Sequence, residues 1–329
     1  MPLIDEVEAA LRSKPQKWLV TGAAGFIGSH LVERLLTLGQ NVVGLDNFST
    51  GHKHNLPGQA PGWRFVEGDI REPMVCSAAC DGVDVVLHQA AIGSVPRSIE
   101  DPIRSHQSNV DGFLNVLVAA RDAKVRRLVY ASSSSVYGDA PALPKREGAE
   151  GRLLSPYAVS KAINELYASN FEKVYGLQAI GLRYFNIFGP RQDPNGAYAA
   201  VVPRWVAALV RSKRCEIYGD GSTSRDFCFV ANAVQANLLA AAAEGASDAV
   251  YNIAVGGRTS LKQLHAMIRD RIALKIPSVA ALEPVFGGAR AGDIHDSQAD
   301  ISQAQRRLGY VPTHTVDQGM DVTVEAALR

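Results

Sequence analysis

Apolar and polar positions follow two rhythms along the first half of this chain. Short apolar runs bounded by turn formers, at Trp18–Thr21, Asn41–Asp46, Arg64–Glu67, Asp84–Gln89, Arg127–Ser132 and Ala179–Arg183, predict strands. Between them, apolar residues recur at three- and four-residue spacing in Ile27–Leu38, Gly112–Ala123 and Ala158–Tyr175, which predicts helices. Ahead of the first strand, Ile4, Val7 and Leu11 recur at helical spacing before Pro15, so a leading helix is expected within 1–14.

Strand and helix in regular alternation predict an α/β fold, a Rossmann-type doubly wound parallel sheet with helices on both faces. Beyond Arg183 the regularity falters at Gly189–Gly196 and Gly219–Ser222, where a smaller mixed α/β C-terminal lobe is expected to start. Asp226–Val230 and Val250–Ile253 look like strands that return to the main sheet. The expected division is therefore 15–183 plus about 225–256 for the sheet domain, and about 184–224 plus 257–329 for the lobe. Ligands of such sheets lie at the carboxyl ends of the strands, which puts a crevice between the two.

Composition narrows the function classes. The 329 residues are 47% hydrophobic and 20% charged, ordinary for a soluble globular chain. With 34 basic and 33 acidic side chains, the net charge of +1 argues against a nucleic-acid surface. No apolar run approaches the ~20 residues of a membrane span, and Asp5, Glu6 and Glu8 stand where a signal peptide would be apolar. Cys76, Cys80, Cys215 and Cys228 show no CxxC pairing, so no metal site is expected. They read as small buried side chains of a reducing, cytoplasmic compartment.

The chemistry begins where the first strand ends. Gly22, Gly25 and Gly28 follow that strand and open a helix, the context a phosphate-binding loop needs. Gly22 allows the tight turn, Gly25 lets backbone approach a pyrophosphate, and Gly28 permits close helix–strand packing. With Phe26 and Ile27 they present a helix amino terminus, where free N–H groups favour an anion. Asp46 ends the second strand 18 residues after Gly28. A carboxylate there can accept from ribose hydroxyls and repels a 2′-phosphate, so NAD is expected rather than NADP. Asp69-Ile70 ends the third strand and is a weaker candidate for the adenine side, and Gln89-Ala90-Ala91 supplies small residues at the fourth. His88 reads as a packing residue.

Tyr157 and Lys161 stand one helical turn apart on one helix face. A phenol with pKa near 10 is a poor base at neutral pH. An ammonium beside it, together with a positive nicotinamide ring, favours the phenolate. The serine run Ser132–Ser135 closes an adjacent strand and offers a hydroxyl for a proton relay to substrate. Ser155-Pro156 provides the helix start.

These motifs together give a chain that resembles the nucleotide-sugar epimerases, the extended short-chain dehydrogenases typified by UDP-galactose 4-epimerase. The likeness covers nearly the whole chain. It takes in Leu45-Asp46-Asn47, Gly68-Asp69-Ile70, His88-Gln89-Ala90-Ala91, Arg183-Tyr184-Phe185-Asn186, Ser224-Arg225-Asp226-Phe227 and Arg290-Ala291-Gly292-Asp293. Gly93–Ile99, Arg191–Tyr198 and Asp296–Ile301 resemble the subgroup acting on UDP-N-acetylhexosamines and their uronic acids. Two segments, between Gly51 and Trp63 and before Arg290, are short for that subgroup.

The resemblance implies a catalytic set of Ser133, Tyr157 and Lys161, with Ser134 and Ser135 as assistants and a one-residue uncertainty within the run. It implies that Asn47 and Asn109 join the cofactor-binding residues. Ser94, Asn186, Ala200, Val201 and Tyr218 would contact the UDP-sugar, Arg225 and Arg290 its diphosphate, and Asp293 the uridine ribose. Ser297, four residues after Asp293, stands where glucose/galactose-specific relatives resemble one another in carrying a tyrosine, and would leave room for an N-acetyl group.

The expected activity is 4-epimerisation of a UDP-N-acetylhexosamine with tightly held NAD, in a homodimer formed through helices near Asp111–Ala123 and Ala158–Tyr175. The alternatives are a UDP-glucose/UDP-galactose epimerase and a UDP-glucuronate-type decarboxylase or dehydratase. A dehydratase of this family carries an acidic residue where Ser134 stands. A non-catalytic dinucleotide-sensing protein on the same fold would be expected to have lost Tyr157 or Lys161, and both are present.

Overall fold

A computed structural model of the chain describes residues 4–195, 199–245, 249–288 and 296–329. The strands are β1 (Lys17–Thr21), β2 (Asn41–Asp46), β3 (Trp63–Glu67), β4 (Val85–His88), β5 (Arg127–Ser133), β6 (Ala179–Tyr184), β7 (Ile187–Phe188), β8 (Glu216–Tyr218), β9 (Ser224–Arg225), β10 (Cys228–Phe229), β11 (Ala249–Ile253), β12 (Thr259–Ser260) and β13 (Val285–Gly287). Seven of them form one parallel sheet in the order β11-β6-β5-β4-β1-β2-β3. The direction of winding reverses between β1 and β4, which opens a crevice at the strands' carboxyl ends.

The helices that bear on the site are α1 (Ile4–Ser13), α2 (Phe26–Thr37), α3 (Pro73–Cys80), α4 (Val95–Glu100), α5 (Pro102–His106), α6 (Gly112–Asp122) and α7 (Pro156–Tyr175). Each sheet face has its own core. Leu31, Val32 and Leu35 of α2 pack on one side with Val20, Val85 and Val129, and α1 adds Val7 and Leu11. Phe113, Val116 and Leu117 of α6 pack on the other with Leu19, Val86 and Leu128. The central strands are buried on both faces, which is why they read as unbroken apolar runs.

A third cluster, around Trp205, Phe227, Ile268 and Met320, forms the smaller lobe, with short sheets β8–β13 and β9–β12. Two expectations change here. Asp226–Val230 does not return to the main sheet: Cys228–Phe229 pairs with β7, because β11 already occupies the edge beside β6. The segment around 302–310, assigned to the lobe by the sequence, packs behind the sheet through Ala304, Leu308 and Tyr310.

The four cysteines are free and buried, and burial pushes each thiol up to about 12. Among the described residues no helix is long and apolar enough to cross a membrane.

Candidate active site

A cavity of about 1190 Å³ opens at the carboxyl ends of the sheet strands, between the sheet and the smaller lobe. Its wall includes Gly22, Gly25, Phe26, Ile27 and Gly28, the residues after β2 and β4, Ser133, Tyr157, Lys161, Asn186 and Ala200.

The glycine loop is as tight as its spacing suggests. Gly22 has φ +69°, and a Cβ there would lie 2.8 Å from the Ala90 nitrogen. Gly28 meets the loop from inside α2, where a Cβ would lie 2.0 Å from the Gly22 carbonyl oxygen. No side chain caps the start of α2, so its first N–H groups face the cavity with a partial positive charge. That cradle fits a dinucleotide pyrophosphate.

Asp46 braces the loop as well as facing the cavity. Its carboxylate accepts from the Ala24 N–H at 2.9 Å and from the Phe48 N–H at 2.8 Å. Burial raises its pKa against those N–H donors. Asp69 accepts from Asn47 Nδ2 at 2.7 Å and from Arg71, whose guanidinium draws its carboxyl down to about 2. Ile70, Ala90 and Ala91 line the same wall. Gln89 joins a buried polar triangle: it accepts from the Tyr184 hydroxyl at 3.2 Å and donates to Asn237 at 3.1 Å. Asn237 donates in turn to Tyr184 at 2.7 Å.

Asn109 is not part of the wall. It is 1% exposed, in a π-helical turn (Gln107–Asp111), and its amide is bonded to both the N–H and the carbonyl of Ile92. It holds the segment after β4 from behind. His88 is buried against Phe113, bonds Thr21 through Nδ1 at 2.8 Å, and is pushed by burial to about 3. It is a packing residue, as expected.

The Tyr157 helix is set by its cap. Ser155 accepts from the Ala158 N–H, Pro156 occupies the first turn, and the free N–H of Tyr157 donates to the Ser98 hydroxyl at 3.0 Å. Burial raises the Tyr157 phenol, and a hydrogen bond with the Ser133 side chain pulls it back down. Lys161 is 2% exposed; its Nζ donates to the Ala131 carbonyl at 2.8 Å and lies 5.9 Å from the Tyr157 ring centre. Burial lowers its pKa to about 8, with Glu165 opposing. A phenol, a hydroxyl and a poised ammonium thus share one wall, a set that can move a proton to and from a bound hydroxyl.

The remaining candidates divide. Ser94 (φ 104°) and Asn186 (φ 36°) line the cavity in backbone conformations rare for non-glycine residues, and Asn186 donates to the Asp226 carbonyl at 3.2 Å. Ser134 opens the 3-10 turn after β5, and Val201 opens the helix Val201–Val210 beside Ala200. Neither is on the wall, nor is Tyr218, which donates to Glu216 at 2.7 Å. Arg225 donates to the Ser224 carbonyl at 2.9 Å, and Ser297 is 9% exposed with its N–H on the same carbonyl at 3.1 Å. Both stand off the cavity among the described residues. Arg290 and Asp293 lie outside the described residues.

The model of the NAD-dependent epimerase/dehydratase family matches residues 18–254. The chain belongs to that family. It is an enzyme of the nucleotide-sugar epimerase type, and NAD is its cofactor. It is similar to a UDP-glucose 4-epimerase of Mycolicibacterium smegmatis, 38% identical over 93% of this chain and 97% of that one. Among solved structures, it is similar to a UDP-N-acetylglucosamine 4-epimerase from Methanobrevibacter ruminantium in complex with UDP-N-acetylmuramic acid. That match has a TM-score of 0.89 and 35% identity over 95% of this chain and 98% of that one. A Thermus thermophilus UDP-glucose 4-epimerase in complex with NAD matches with a TM-score of 0.83 and 33% identity, covering 94% and 98%.

In this epimerase-family site the sequence reading passed over Ser98, Glu165 and Tyr184. Ser98 lies in the Gly93–Ile99 stretch and is fully buried; its hydroxyl donates to the Val95 carbonyl at 2.7 Å and accepts from the Tyr157 N–H. Glu165 continues the Tyr157–Lys161 spacing by one more turn.

Proposed function

We propose that this protein is a UDP-N-acetylglucosamine 4-epimerase, interconverting UDP-GlcNAc and UDP-GalNAc. The observation that carries the reading is the meeting of Ser133, Tyr157 and Lys161 on the cavity that also holds the glycine loop. Bound NAD supplies the hydride acceptor and donor at the sugar's C4, so the cycle has no net redox change. The chain's own residues handle the proton. Tyr157, through Ser133, takes it from the 4-hydroxyl and gives it back after the 4-keto sugar has turned over. Lys161 stabilises the phenolate, and its held position on Ala131 keeps that charge in place.

Among the described wall residues, Arg97 and Arg104 stand with Glu100 and Asp101. A uronic acid would call for an excess of positive charge, so this balance favours the neutral sugar. The 38% identity to a UDP-glucose 4-epimerase supports a second reading, the non-acetylated sugar pair. A homodimer goes with both readings: Val159, Leu166 and Val174 form an exposed apolar stripe along α7. A coupled assay across UDP-glucose, UDP-GlcNAc and its uronic acid separates them. The highest kcat/KM is expected on UDP-GlcNAc, and a preference for UDP-glucose would replace this reading with the second.

A further inference from the structure

One turn beyond Lys161 on α7 stands Glu165, a carboxylate that the proton transfer leaves unused. Its side chain is 14% exposed. Oε1 accepts from the Ser132 hydroxyl at 2.5 Å and from Arg183 Nε at 2.9 Å, and Oε2 accepts from Arg183 Nη2 at 2.7 Å. Arg183, on β6, is itself buried, pairs also with Glu150, and lies 4.9 Å from the Tyr137 ring centre.

The pattern is a ladder between one helix face and one strand end. Tyr157, Lys161 and Glu165 recur every four residues on α7. They meet three consecutive residues of β5: Ser133 shares the cavity wall with Tyr157, the Ala131 carbonyl takes Lys161, and Ser132 donates to Glu165. A helix could pack on a strand with apolar side chains alone, at lower desolvation cost than a buried carboxylate and guanidinium. The charges stand where the reacting groups need a fixed register.

We propose that Glu165 is a positioning residue that bolts α7 to the serine strand and so holds Lys161 in register with Ala131. The proposal rests on Tyr157 and Lys161 being the proton-transfer pair. The groups around Lys161 are Tyr157 and Glu165 on its own helix and His88 from β4, with Tyr184 of β6 on the same cavity wall; Arg183 lies beyond Glu165, and Tyr137 and Glu150 beyond Arg183. Arg97, Glu100, Asp101 and Arg104 of α4 and α5 line the same cavity. Glu165 is the carboxylate that opposes the effect of burial on Lys161. Removing its charge lowers the proton affinity of the Tyr157–Lys161 pair as a whole, whichever member holds the proton.

The test compares Glu165→Gln, Ser132→Ala and Tyr157→Phe for epimerisation across pH, with thermal midpoint and bound NAD measured on each. Glu165→Gln is expected to lose about tenfold or more in kcat with KM within about twofold, and its pH profile to move toward acid by about one unit. Ser132→Ala keeps both buried charges paired. It is expected to lose about threefold or more in kcat with the profile in place. A Glu165→Gln enzyme with only a lower thermal midpoint, its kcat and pH profile unchanged, overturns the proposal. Should that variant fail to fold, Ser132→Ala decides, and the parent's kcat there overturns it equally. An active Tyr157→Phe enzyme would instead overturn the proton-transfer reading, so the two failures are distinguishable.

Discussion

Gly28→Ala is the sharpest steric test of the cofactor loop. The position lies inside α2 with a backbone that any residue adopts, so helix propensity alone would favour alanine by about 1 kcal/mol. The surroundings oppose it. The new Cβ would stand 2.0 Å from the Gly22 carbonyl oxygen, while ordinary contact begins at 3.4 Å, so helix and loop must separate by roughly 1.4 Å. Gly22 has nowhere to go. Its N–H donates to the Leu45 carbonyl at 2.8 Å, its carbonyl accepts from Gly25 at 3.0 Å, and its Cα side abuts Ala90. Overpacking of this kind costs about 1–3 kcal/mol in stability.

The larger effect falls on NAD. A shift of that size turns the loop N–H groups away from the phosphates, and two charge-assisted hydrogen bonds at about 1.5–3 kcal/mol each correspond to at least about a hundredfold in affinity. The assay is the nucleotide released on heating purified protein, read beside epimerase activity. The parent should carry near-stoichiometric NAD without any being added, and Gly28→Ala should carry little and need added NAD to work. Gly39→Ala is the control: φ is +72° there and nothing lies within 4 Å of the new Cβ, so it costs about 1–2 kcal/mol and keeps NAD. A Gly28→Ala protein with the parent's NAD content and activity would refute the reasoning.

Tyr157→Phe removes the phenol and leaves the ring's packing, so kcat should fall about a hundredfold or more with NAD content unchanged; turnover at the parent's rate would remove Tyr157 from the chemistry. Asp226→Ala leaves the N–H groups of Val255, Gly256 and Ala299, each now 3.1 Å from its carboxylate, without a partner, and should cost about 3 kcal/mol or more in urea unfolding. Burial lifts the Asp226 pKa from its ordinary 3.8 to about 6, so the stability gained by holding that proton is complete below about pH 4 and lost as pH rises through about 6. The gap between parent and variant should therefore narrow across that window, and a gap that widens would show the N–H donors outweighing burial.

Legibility in this chain tracks how locally an interaction closes. The sheet strands could be read because each is a short apolar run buried on both faces, a property of the run itself. The glycine loop could be read because a Cβ at Gly28 would collide with Gly22, six residues away, so the need for glycine is local. Asp226 shows the opposite case. It stands just before the apolar run Phe227-Cys228-Phe229-Val230, and its partners at 255, 256 and 299 lie 29, 30 and 73 residues further on, so nothing nearby distinguishes an anchoring carboxylate from the start of a strand. Asn109 enters through the resemblance alone, and nothing beside it in sequence points to Ile92, 17 residues earlier, whose backbone its amide bonds. Glu165 sits between these cases. Its spacing from Lys161 is plain in the sequence, yet any amphipathic helix shows as much. Only the approach of Ser132, 33 residues before it, and Arg183, 18 after it, turns that spacing into a register between helix and strand. The residues that hold the reacting groups in place are thus less legible than the reacting groups themselves, because what they hold together is distant in sequence.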